Sequence, residues 1–196
     1  MVIVNLFGPP SSGKSTVAAG LFFLMKINKM SVELVNEFAK ELVHEGRHEI
    51  LTSGEQNYIF AEQLRRQKRL FGKFDFIVSD SPILLPLFYE LRETPVEVRN
   101  PHFPELVMNE FNRTKSFNYL LKRKHVFETA GRRHDERQSE EIDGELRGFL
   151  ASRNIEVMEL EANPKTPEII LADIRQRIGV STSTLPFEGL DNPENQ

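Results

Sequence analysis

Apolar residues fall along this chain in short runs separated by longer amphipathic stretches. Val2–Phe7 is a near-continuous apolar run closed by Gly8-Pro9-Pro10, which reads as a buried strand. Residues 14–26, rich in Ala, Leu, Phe and Met, predict a buried helix. Further strands are predicted over 31–36, 75–79, 117–121 and 155–160. Helices are predicted over 37–45, 53–71, 82–91, 104–116, 138–152 and 167–178, with a loop over 95–103. Gly46 supplies the stop for the first of these helices. Ser53 and Gln56 form a capping box for the second, and Pro82 suits the first turn of the third. Strands that alternate with helices imply an α/β fold with a mainly parallel sheet covered on both faces. From Gly179 the composition shifts to Ser, Thr, Pro, Asn and Gly. The expected organisation is therefore one domain over 1–178 and a mobile tail over 179–196.

A length of 196 residues suits one α/β domain and is too short for two. The chain has no cysteine, which excludes disulfides, zinc–thiolate sites and thiol catalysis and fits a reducing compartment. No basic leader with an apolar core is visible, and no apolar run nears the length of a membrane span. A soluble cytoplasmic protein without a membrane partner is expected. A net charge of −4 and a pI near 5.8 argue against a general nucleic-acid binder. Local basic clusters stand at Arg65, Arg66, Lys68, Arg69 and Lys73, and again between 122 and 137. Such clusters are ordinarily solvated helix faces.

One segment changes the picture. Gly8-Pro9-Pro10-Ser11-Ser12-Gly13-Lys14-Ser15 fits G-x-x-x-x-G-K-[ST], and it lies between a predicted strand and a predicted helix, as that motif demands. Triphosphate binding needs concentrated positive potential without bulk. Gly8 and Gly13 let the backbone wrap closely, so that amides around Ser11 and Ser12 point inward. The helix that follows, entered through Ser15 and Thr16, aims its positive end at the phosphates. Lys14 reaches the β- and γ-phosphates, and the Ser15 hydroxyl suits magnesium. ATP or a close relative, with Mg2+, is the expected ligand.

Such a site needs acids at the carboxyl ends of neighbouring strands. Asp80 follows Phe76-Ile77-Val78-Ser79, the Walker B arrangement, and is the candidate magnesium-side carboxylate. It equally suits a cap for the helix expected from Pro82. Glu37 follows the second strand and is the candidate general base toward an acceptor hydroxyl. The bland reading makes it a first-turn glutamate favoured by the helix dipole.

Residues 122–137 hold Lys122, Arg123, Lys124, Arg132, Arg133 and Arg137, with Gly131 as a hinge. Arginines on a flap over the transferring phosphoryl group would use their planar forks on its oxygens, so Arg132 and Arg133 are candidate catalytic residues of a lid. The alternative is a solvated charged loop. His44-Glu45-Gly46-Arg47-His48 matches H-E-x-x-H, but Gly46 falls where the helix is expected to end. The two histidines therefore should not share one helical face, as zinc catalysis requires.

Taken in order, residues 8–15, Glu37-Phe38-Ala39-Lys40-Glu41, Glu62-Gln63-Leu64, Asp80-Ser81-Pro82 and Gly131-Arg132-Arg133 resemble a known family. It comprises the nicotinamide-riboside-kinase-like AAA-type ATPase domains, among the P-loop nucleoside and nucleotide kinases. The resemblance covers about residues 1–178. It implies a P-loop NTPase three-layer sandwich with a five-stranded sheet and an arginine-bearing lid. It also implies an ATP site at the P-loop, supports Glu37 and Asp80 in their roles, and adds Gln63 as an acceptor-side residue. Lys40 departs from the arginine that related chains often carry after the glutamate, so the acceptor does not transfer with the resemblance. Small phage-encoded kinases share this plan, including enzymes acting on a hydroxymethylated base in DNA. The expected activity is phosphoryl transfer to a nucleoside, nucleotide or related small acceptor. The rivals are a kinase acting on a base or end within DNA, and an NTP-hydrolysing switch or assembly factor.

Overall fold

The computed structural model describes residues 1–47, 49–50, 55–122 and 136–179. Strand β1 (Val2–Phe7) lies at the centre of a five-stranded sheet. It pairs on one side with β3 (Phe76–Ser79) and on the other with β4 (Ser116–Lys122). The edges are β2 (Val32–Val35) against β3 and β5 (Met158–Glu161) against β4, and every pairing is parallel. The order follows from the side chains. β1 and β3 are buried along their whole length, whereas β2 and β5 are four residues each and half-buried, with Glu33 and Glu159 within them.

Seven helices are described: α1 (Lys14–Ile27), α2 (Phe38–His44), α3 (Gln56–Lys68), α4 (Leu85–Glu93), α5 (Phe103–Asn112), α6 (Glu136–Ser152) and α7 (Thr166–Arg177). Side chains alternate across a strand, and the core divides accordingly. Val2, Val4 and Leu6 pack with Val17, Leu21, Met25 and Ile170 of α1 and α7. On the other face Phe7 and Leu120 pack with Phe60, Leu87, Phe103 and Phe149. The result is the three-layer α/β sandwich that the strand–helix alternation predicts. A smaller cluster of Phe38, Leu42, Ile50 and Ile59 ties α2 to α3. Among the described residues no helix is long and apolar enough to cross a membrane.

Several boundaries differ from the sequence reading. Strand β5 begins at Met158 rather than 155. Asn154 takes a left-handed conformation (φ 53°) and the Ile155 N–H donates to Leu150 O, so these residues form the exit of α6. Helix α4 begins at Leu85, not Pro82. The Ser79 hydroxyl donates to Ser81 O and the Leu85 N–H to Pro82 O, which builds a turn first, and Pro86 takes the first-turn place. Helix α5 stops at Asn112, because Ser116 already pairs with Ile3 in the sheet. Helix α3 starts at Gln56 with Glu55 in the cap position; Ser53 lies outside the described residues. So does the expected tail beyond Gly179.

In a parallel sheet all carboxyl ends share one rim. Gly8 after β1, Asn36 after β2 and Asp80 after β3 therefore open on the same side.

Candidate active site

The loop after β1 is held by its own backbone. Gly8 has φ 152°, and a Cβ there would collide with Ser12 Oγ and lie 2.7 Å from Leu121 O. Gly13 has φ 86° and caps α1, where a Cβ would press on Ala162. Between them Ser11 is left-handed (φ 59°), and the Ser12 N–H donates to Pro9 O at 3.2 Å. Because α1 starts at Lys14, the amides of its first turn lack intrahelical acceptors and suit an anion. Lys14 folds back over the loop: its Nζ donates to Gly8 O (2.9 Å) and Pro9 O (2.8 Å). Ser12 is buried with its hydroxyl unpartnered. Ser15 is half-buried, and Thr16 is exposed on the first turn of α1.

Asp80 joins this loop to the neighbouring mouth. It is only 3% exposed, and its N–H donates to Val35 O at 3.4 Å, extending the β2–β3 pairing. The Ser15 hydroxyl and the Glu37 N–H face its carboxylate and favour the charged form, while Oδ1 is buried without a partner. Burial raises its pKa; the Ser15 hydroxyl, the charges of Lys14 and Lys40, and the Glu37 N–H oppose the rise. Asp80 does not cap α4, which begins five residues later without a side-chain cap. The Ser15 hydroxyl and a spare buried carboxylate oxygen make a hard-oxygen donor pair. That pair fits a small divalent cation whose other positions are taken by phosphate and water.

Glu37 occupies the N-cap position of α2 with extended backbone (φ −66°, ψ 120°), and its side chain makes no cap hydrogen bond. The helix-start reading and the rim placement thus coincide. Gln63, 1% exposed on α3, directs both ends of its amide at this turn. Its Oε1 accepts from the Phe38 N–H at 3.1 Å, and its Nε2 donates to Asn36 O at 3.2 Å. One turn further along α3, Arg66 grips Glu41 of α2 through two 2.6 Å bonds, donates to Glu62 (3.1 Å) and stacks over the Phe38 ring.

The sequence profile of the family described as AAA domain matches residues 3–166. The chain belongs to this AAA domain family. No curated protein matches it. Among solved structures, deoxyadenosine kinase from M. mycoides with bound dATP superposes with a TM-score of 0.53 at 13% identity, covering 89% of this chain and 100% of the kinase. The same enzyme with products dCMP and a flexible dCDP gives a TM-score of 0.57 at 14% identity, covering 89% and 99%. Identities this low speak for the fold alone. That fold is the P-loop NTPase three-layer sandwich expected from the sequence.

Other expected site residues in this AAA domain fall elsewhere. Arg132 and Arg133, with Arg123 and Lys124, lie outside the described residues. Two cations assigned to the lid belong to its neighbours. Lys122 ends β4 and pairs with Glu159 at 2.7 Å, and Arg137 begins α6 and pairs with Glu141 at 3.1 Å. The basic face of α3 is largely neutralised: Arg65 pairs with Glu62, Arg66 with Glu41 and Lys68 with Glu110. Gly46 is left-handed (φ 73°) just past the end of α2, which removes the H-E-x-x-H pattern from one helical face; His48 lies outside the described residues. Sequence reasoning missed Arg66 as a tie between α2 and α3, and Lys40 as a charge acting on Asp80. Glu41 and Arg66 are 25 positions apart, and no periodic signal links them.

Proposed function

We propose that this AAA domain is a kinase transferring the γ-phosphate of magnesium-ATP to a hydroxyl of a nucleoside, nucleotide or related small acceptor, with residues 1–178 as its catalytic domain. The observation that carries the proposal is the double engagement of Asp80. One buried carboxylate is faced by the Ser15 hydroxyl of the phosphate loop and by the backbone N–H of Glu37, both of which favour its charge, and it keeps one oxygen without a partner. A phosphate loop needs only a nearby acid to hold nucleotide. A second acid at the mouth of the next strand, beside the first, is what an acceptor hydroxyl requires.

The roles follow from chemistry. Loop amides between Gly8 and Ser15 bind the phosphate oxygens. Lys14 exchanges its two carbonyl partners for the β- and γ-phosphates. Ser15 and Asp80 would hold magnesium, which supplies neutralisation of phosphate charge when bound. Glu37 accepts the proton of the attacking hydroxyl as the new O–P bond forms and the bond to ADP breaks. Arg132 and Arg133 complete the scheme on sequence grounds, as stabilisers of the equatorial oxygens. The fold shared with a deoxyadenosine kinase supports an acceptor of nucleoside type. The neutralised face of α3 gives DNA phosphates little to bind.

Labelled γ-phosphate transfer, screened over nucleosides, nucleotides, nicotinamide riboside and hydroxymethylated DNA, tests the proposal. Labelled nucleoside or nucleotide product is expected. Release to water alone would leave an NTPase and reject the kinase.

A further inference from the structure

Resting on the kinase reading, we infer that Gln63 is the positioning residue of the proposed base Glu37: it clips the backbone on both sides of that residue and thereby aims its carboxylate. The chain turns from strand to helix over three consecutive residues, and each offers a backbone group there. Asn36 O accepts from Gln63 Nε2 and the Phe38 N–H donates to Gln63 Oε1, while the Glu37 N–H between them faces Asp80. A side-chain amide is neutral and donates and accepts from neighbouring atoms in one plane, so it matches a peptide carbonyl and a peptide N–H together. Gln63 lies 25 and 27 positions from the groups it holds and is 1% exposed, so the clip is long-range and shielded from water.

Two consequences follow. Gln63 does not read the acceptor, because both ends of its amide are engaged in the turn. It also leaves nucleotide binding alone, because its two hydrogen bonds both go to the turn after β2. It belongs to the supporting shell that holds a catalytic group within the narrow tolerance phosphoryl transfer demands.

The test has an arm independent of catalysis. Gln63→Met keeps the length and removes both bonds; Gln63→Glu keeps an oxygen for the Phe38 N–H and loses the donor to Asn36 O. Residue-resolved amide exchange on the full chain should show the Phe38 amide opening about tenfold faster in Gln63→Met, the loss of one hydrogen bond. Val4, in the central strand, should keep its protection. Gln63→Glu should retain most of the Phe38 protection, and it decides the matter where Gln63→Met fails to fold. In the second arm, transfer from ATP to deoxyadenosine as probe should fall about 100-fold in kcat for Gln63→Met, with KM for ATP within about twofold of the parent, since misplacement of a reacting group acts on the chemical step. Parent-like exchange at Phe38, or a loss expressed in KM for ATP, overturns the inference. A parent that transfers to no acceptor rejects the kinase reading instead, and the exchange arm still decides whether Gln63 holds the turn.

Discussion

The two mouths of the sheet are built in opposite ways. The phosphate loop after β1 is shaped mainly by its own residues: Gly8, Ser11 and Gly13 in unusual backbone states, a Ser12–Pro9 turn, and Lys14 bonded to Gly8 O and Pro9 O. The turn after β2 is shaped by distant ones, with Gln63 and Arg66 reaching from α3 and Asp80 from β3. A site that must wrap a phosphate chain gains from backbone curvature, which local sequence encodes. A site that must aim one carboxylate gains from rigid neighbours, which arrive only once the chain has folded.

Lys14→Ala should have the largest effect, since it removes the cation that the phosphate loop itself supplies. The parent should gain about 2.7 kcal/mol of stability with magnesium-ATP at 100 times its Kd, and the variant almost none. Thermal-shift titration checks this. Equal stabilisation of both proteins would mean that the loop does not depend on its own lysine.

Glu37→Gln should lower single-turnover transfer by about 10²–10⁴-fold, the usual loss of a general base. Calorimetric ATP binding should stay near the parent's. A fall in ATP binding would move Glu37 to the phosphate side and merge the two mouths into one functional unit.

Asp80→Asn probes the carboxylate between them. Burial raises the native pKa of Asp80, so the folded chain binds this proton more tightly than the unfolded chain. Across the window from the unfolded value, about 3.9, up to the raised native value, the parent loses stability as pH rises and then levels off. The variant has no such proton, so its stability relative to the parent should climb through that window. Urea unfolding series from acid to neutral pH measure it, and parallel curves would show that Asp80 is not held against its charge.

The smallest effect concerns the tie between the helices. A double-mutant cycle on Arg66→Ala and Glu41→Ala should give a coupling of about 1 kcal/mol, because the bond is bidentate but Glu41 is nearly half exposed. A coupling near zero would leave Gln63 and Asp80 as the attachments that matter.

The same contrast explains what was legible in the sequence. Central strands read well, because β1 and β3 are apolar runs that the sheet buries on both faces. The loop joining β1 to α1 was legible because Gly8, Gly13 and Lys14 are close together in the chain; its packing against Leu121 and Ala162 was not. Boundaries slipped where local hydrogen bonds compete with periodicity: at Ile155, drawn into the exit of α6, and at Pro82, drawn into a turn before α4. Glu37 and Asp80 were visible as acids ending strands, but the approach of the Glu37 N–H to the Asp80 carboxylate was not. Gln63 was visible only through family resemblance, and the structure shows its amide bonded to the turn that carries Glu37.

The outer strands carry a consequence of their own. Each is four residues long and carries glutamate, Glu33 in β2 and Glu159 and Glu161 in β5. An open sheet edge is a template for another chain, and charge on a short edge strand is how natural proteins refuse it. Two copies meeting along β2 would bring glutamate toward glutamate. The sheet is thereby biased against growth past β2, whereas at β5 the charge of Glu159 is already met by Lys122 and Arg147.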